Sequence, residues 1–211
     1  MNLLAIETAT AICSVACLKD DELVDKKEAM IPRKHAELLP EFLLGVAKNC
    51  PLSSVDGIAL SIGPGSFTGL RIGLSFAKGL AFSRGLPLIP VPTLYALASA
   101  AIDKIEIFKI ILYSHRDIVF HQDFQAKNTG ITPTTEPDAA KWNDIQNRFG
   151  DYNKIFHYGC DALNTSSFDL LPVIPSAVAV ARLARINYNT WVQSNPAELV
   201  PEYISPFEIG K

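Results

Sequence analysis

Three short apolar runs separated by polar turns open the chain. Residues 2–6 are apolar, residues 12–18 set Val15 among small side chains, and residues 22–27 follow the turn Lys19-Asp20-Asp21. Asp tolerates the left-handed backbone of a tight hairpin turn, so the acidic pair suits the second link. With Glu7-Thr8-Ala9-Thr10 as the first link, the pattern predicts an antiparallel meander. The period then changes. Leu38, Leu39, Phe42, Leu43 and Val46 recur at three- and four-residue steps, which predicts a helix over residues 34–49. Pro40 removes one backbone donor, so this helix either begins near it or kinks. A short strand over 56–62 leads through Gly63-Pro64-Gly65-Ser66 into a helix over 67–83. Gly69, Gly73 and Ala77 fall four apart on one stripe of it. Glycine costs a helix about 1 kcal/mol relative to alanine, so two on one face predict that another backbone comes close there.

Beyond this lie a strand at 88–91, a helix at 93–101, and a second hairpin, 105–113 and 118–124, around Ser114-His115-Arg116-Asp117. Residues 126–152 are polar, contain proline and give little signal. A strand at 155–158 ends at Gly159, a helix covers 177–186, and 200–204 is extended. Meander, helix, strand, helix and a partial second round match the α/β architecture of the actin-like ATPases (ASKHA), in which two ribonuclease-H-like lobes face each other. The expected division is an N-terminal lobe over 1–100 and a reduced C-terminal lobe over 101–211.

Composition narrows the function classes. Of 211 residues 48% are hydrophobic, enough for a sizeable core, and the net charge is −3 with both signs mixed along the chain. Tight binding of nucleic acid by this chain alone needs a basic surface that the sequence lacks. The N-terminus has no signal-peptide pattern and no stretch reaches the ~20 apolar residues of a membrane span. Cys13, Cys17, Cys50 and Cys160 are scattered without a CxxC pair. The expectation is a cytoplasmic protein with reduced thiols and no structural zinc.

The segment with most chemical character is Gly63-Pro64-Gly65-Ser66-Phe67-Thr68-Gly69-Leu70-Arg71-Ile72-Gly73. A Gly-rich turn into a helix suits an anion, yet no Lys-Ser/Thr pair follows as in a Walker A loop, and Pro64 removes a donor. On physical grounds alone the glycines serve a sharp turn and close helix packing. This block and the opening LLAIETATAICSVACL resemble the bacterial TsaB (YeaZ) family, the paralogues of TsaD-type transferases. Residues 33–40, the stretch Val91-Pro92-Thr93-Leu94-Tyr95-Ala96-Leu97, and Val200-Pro201-Glu202-Tyr203-Ile204 add to the likeness. It is dense over 1–100 and thin beyond.

The resemblance implies a non-catalytic subunit in making the threonylcarbamoyladenosine modification of tRNA. It also implies a TsaD-like transferase and a TsaE-like ATPase as partners, a homodimer in isolation, and tRNA met only through the complex. No cofactor or metal is expected. TsaD-like catalysts use an HxxxH pair, whereas Leu39 stands four residues after His35. Glu7, Gly63, Gly65, Ser66 and Asp117 are the expected remnant of a nucleotide site, with Ser114 where the family often has Asp and Tyr158-Gly159-Cys160-Asp161 where a Gly-Gly pair is usual. The first helix, with Leu44 widening its apolar face, needs a second covering surface. The expected partner surface is therefore Leu38, Leu39, Phe42, Leu43 and Val46 of that helix and Gly69, Leu70, Gly73, Leu74 and Ala77 of the next, forming a four-helix bundle with the partner. Two other readings are an ATP-hydrolysing enzyme built on Glu7 and Asp117, and a peptidase using Ser66, for which no His–Asp partners can be assigned.

Overall fold

The computed structural model describes residues 1–101, 106–128, 130–147, 149–151, 154–163 and 169–204. In chain order its strands and helices begin with β1 (Asn2–Glu7), β2 (Ile12–Lys19), β3 (Glu22–Met30), α1 (His35–Val46), β4 (Gly57–Gly63), α2 (Phe67–Arg84), β5 (Leu88–Pro92) and α3 (Thr93–Ala101). They continue with β6 (Glu106–His115), β7 (Ile118–Lys127), β8 (Gly130–Pro133), β9 (Asp138–Lys141), α4 (Trp142–Gln146), β10 (Lys154–Tyr158), β11 (Leu170–Pro172), α5 (Ala177–Ile186) and α6 (Tyr188–Trp191). The expected meander, both long helices and the second hairpin are present. Pro40 lies inside α1 rather than at its start. The segment at 200–204 is not a strand, although Glu202 N–H donates to Ile62 O at 2.9 Å.

Two sheets result. The first runs β3-β2-β1-β4-β5, antiparallel across the meander and parallel from β1 through β4 to β5. The second runs β11-β10-β6-β7-β8, with β9 also paired to β7. Each sheet thus combines a meander edge with parallel strands, the repeat expected of two ribonuclease-H-like lobes.

Strand alternation sorts the core. Leu4 and Ile6 of β1 turn toward α1 and α2, while Leu3 and Ala5 turn toward Ala177, Val180 and Ala184 of α5. The first sheet is therefore covered on both faces. In the second, Phe108, Ile110 and Phe124 pack with Leu94 and Leu97 of α3, and Ile111 and Val119 pack with Trp142 and Ile145 of α4. α3 touches both sheets. The sequence division at residue 100 separates the sheets, but the packing returns α5 to the first one.

One expectation is corrected. Cys17 on β2 and Cys50 just beyond α1 form a disulfide, their Cα atoms 6.4 Å apart, while Cys13 and Cys160 are free and buried. Folding brings together two residues 33 apart whose spacing matches no disulfide or metal signature.

Candidate functional site

The β1–β2 turn and the start of α2 are built against each other. Ser66 N–H donates to Ala9 O at 2.7 Å, and the Ser66 hydroxyl caps α2 by accepting from Gly69 N–H at 3.2 Å. Thr8 Oγ1 donates to Gly69 O at 2.9 Å. A Cβ added at Gly69 would run into Thr8 O, and one at Gly73 into the Thr8 hydroxyl. The backbone that approaches the small-residue stripe is thus the chain's own turn. This corrects the expectation that the stripe admits a partner helix.

Gly63 has φ 133° and lies against the Glu202 backbone, and Gly65 lies against Ala9. The Gly-rich turn is filled from two sides by the chain itself. Glu7, at the end of β1, is buried and accepts from Ala9 N–H at 2.7 Å and from the Ser61 hydroxyl. Burial pushes its carboxyl up from 4.5 to about 7, against the lowering effect of those two donors.

Between the two sheets opens a cleft of about 1100 Å³. One wall carries Thr10, Arg33, His35 and the first turn of α2. The other carries Leu112 to His115, His157 to Gly159, Asp161 and Val173. Of the expected nucleotide-site residues, Gly65 and Ser66 line this cleft, whereas Glu7, Gly63 and Asp117 do not. Asp117 is exposed on the β6–β7 turn, its carbonyl accepting from Trp142 N–H at 2.7 Å. Glu7 is sealed beneath the β1–β2 turn. Neither carboxylate of the alternative, ATP-hydrolysing reading lines the cleft.

His157 was not marked in the sequence, while Tyr158 beside it in the cleft, and Arg71 on α2 outside the lining, were marked only within longer stretches. His157 is only 7% exposed, and its Nδ1 accepts from Cys160 N–H at 3.3 Å. Burial lowers its pKa, with Asp161 opposing. The Tyr158 hydroxyl bonds to Thr10 across the cleft and is held above its usual range chiefly by burial. The Arg71 guanidinium lies 3.7 Å over the Phe67 ring while its Nε donates to the Tyr203 hydroxyl at 3.0 Å, fixing the 200–204 segment to α2. None of these has a telling spacing; only their place at strand and helix ends groups them. His35, considered as a lone ligand, is a buried structural residue whose Nε2 donates to Ile12 O at 3.2 Å.

The two helices divide between core and surface. Leu39, Leu43, Val46, Gly69, Leu70, Gly73, Leu74 and Ala77 are all buried within this chain, so they are removed from the expected partner surface. Leu38 and Phe42 are half-buried, as are Ile72 and Phe76 of α2. Leu44 is 69% exposed and Phe82 92%. What the helices leave open is displaced from the stripe that the periodicity marks.

A family model described as TsaD, tRNA N6-adenosine threonylcarbamoyltransferase, matches residues 17–134. The tRNA threonylcarbamoyladenosine biosynthesis protein TsaB of Buchnera aphidicola subsp. Schizaphis graminum is 30% identical over 157 residues, covering 72% of this chain and 74% of that protein. The chain belongs to the TsaB family. Escherichia coli K12 TsaB is 34% identical over 143 residues, and the match covers 66% of this chain and 62% of that relative. The chain thus spans less than two thirds of the Escherichia coli protein it matches. Among solved structures, YeaZ from Pseudomonas aeruginosa superposes with a TM-score of 0.79 at 25% identity, covering 96% of this chain and 99% of that one. An ethanolamine utilization protein, EutJ, with 12% identity and a TM-score of 0.51, shares the actin-like fold alone. Among the described residues no helix is long and apolar enough to cross a membrane.

Proposed function

We propose that this TsaB-family chain serves the threonylcarbamoyladenosine modification of tRNA in the cytoplasm as a non-catalytic subunit that docks onto and activates a TsaD-type transferase. The observation that carries this reading is the apolar surface left open on α1 and α2. Leu44 and Phe82 are exposed there, Leu38, Phe42, Ile72 and Phe76 are half-covered, and the 100° step of a helix puts Leu44 on a different side of α1 from Leu38 and Phe42. Large exposed apolar side chains on two helices that touch each other favour a protein partner. A transferase fits because TsaD-type proteins match the same family model that covers more than half of this chain. In isolation the same surface pairs two copies of this chain. A TsaE-like ATPase joins the assembled pair, and tRNA is met only by the assembly, consistent with a net charge of −3.

The test is reconstitution. A purified TsaD-type transferase, supplied with threonylcarbamoyl adenylate and unmodified tRNA, is assayed with and without this chain. The expected result is that modification depends on the chain and is lost with Leu44→Asp combined with Phe82→Asp. Equal modification without the chain would overturn the reading.

A further inference from the structure

The cleft between the sheets contains donors that the folded chain leaves unused. Because His157 Nδ1 accepts the Cys160 N–H, the neutral ring carries its proton on Nε2. Among the described residues no acceptor meets that Nε2–H, although the side chain is 93% buried and lines the cleft. Protonating Nδ1 as well would set two donors against each other, and burial already lowers the pKa, so the ring stays a neutral donor near pH 7. On the opposite wall the first turn of α2 begins at Phe67. Ser66 and Gly69 N–H are engaged, but the Thr68 N–H finds no acceptor among the described residues and Thr68 lines the same cleft. The N-terminus of an 18-residue helix adds a positive end to that amide.

The remaining wall chooses the ligand. Leu112, Phe120, Val173 and Ile72 make much of it apolar, and its charged side chains are one arginine, Arg33, and one acid, Asp161. A magnesium–triphosphate would need carboxylates near its metal, and Glu7 and Asp117 lie outside the lining. A single oxyanion on an apolar body suits two neutral donors, one helix end and a mixed wall. The volume, about 1100 Å³, admits a small organic molecule.

We propose that this cleft binds a small organic anion with a single acidic group, its carboxylate or phosphate held between His157 Nε2–H and the Thr68 N–H and its apolar body against Leu112 and Val173. The cleft shares Ile72 with the helix surface named above, and the proposal does not depend on the function assigned to that surface.

Calorimetry on the full chain tests it with three probes: inorganic phosphate, phenyl phosphate and benzoate. Phenyl phosphate or benzoate should bind at least roughly ten-fold more tightly than inorganic phosphate, and which of them binds identifies the anion as phosphate or carboxylate. His157→Phe should weaken that binding roughly ten-fold, and His157→Gln, which keeps a donor, should restore part of it. Thr68→Pro removes the second donor at a first-turn position where no helical bond is lost, and should cost a similar factor. Circular dichroism confirms that each variant is folded, and the His157 ring resonances should shift on titration. No binding of any probe at millimolar concentration would overturn the proposal. So would binding unchanged in folded His157→Phe and Thr68→Pro, or tighter binding of Mg-ATP than of either organic probe.

Discussion

Glu7 couples stability to pH. Its carboxyl titrates near 4.5 when unfolded and about 7 when folded. Between those values the folded chain holds a proton that the unfolded chain has lost. Its contribution is therefore greatest below about pH 4.5, falls as pH rises to about 7, and is flat beyond. The change is of order 3 kcal/mol. Urea denaturation across that window should show this slope in the wild type and a smaller one in Glu7→Gln, which stays neutral. Gly69 makes a second residue-scale prediction. Its missing Cβ leaves room for Thr8 O, a backbone atom that cannot swing away. Gly69→Ala should cost about 1–3 kcal/mol of stability, read as a lower urea midpoint with an unchanged slope.

At the scale of elements, the apolar spacing along α1 and α2 correctly marks a buried stripe but not what buries it. Leu39 is 0% exposed against the chain's own first sheet. Leu39→Asp should therefore unfold the chain, whereas Leu44→Asp and Phe82→Asp should each leave the melting temperature within about 1 °C and abolish pairing with the transferase. Calorimetric melting and gel filtration separate the two outcomes. The same contrast shows what was legible. Gly69 and Gly73 told of a close backbone, but the turn that supplies it, Thr8, is 61 residues away from Gly69 in sequence. Periodicity reports that a face is covered and is silent on whose atoms cover it. The four-residue strands β8 and β9 and the five-residue α4 are too short to show a period at all, which is why residues 126–152 gave little signal. His157 lies at a strand end whose partners, Cys160 N–H and the cleft, are set by tertiary structure.

For the whole molecule, order along the chain and order in space part company. α5 comes after the second sheet yet closes the face of the first that α1 and α2 leave free, with Ala177, Val180 and Ala184 packed on Leu3, Ala5 and Ala16. Removing residues 173–211 should therefore expose the first sheet and give an insoluble product instead of one trimmed lobe, checked by the soluble fraction on expression. The two-sheet framework is filled at its glycine turn by the chain's own backbone, and Asp161 is the one acid among the residues lining its cleft. The pairing itself is read most directly by native mass measurement of the chain alone and mixed in equal amounts with a TsaD-type transferase. The account predicts a one-to-one complex in the mixture that dissociates on Leu44→Asp with Phe82→Asp. Two separate masses from folded wild-type proteins would contradict it.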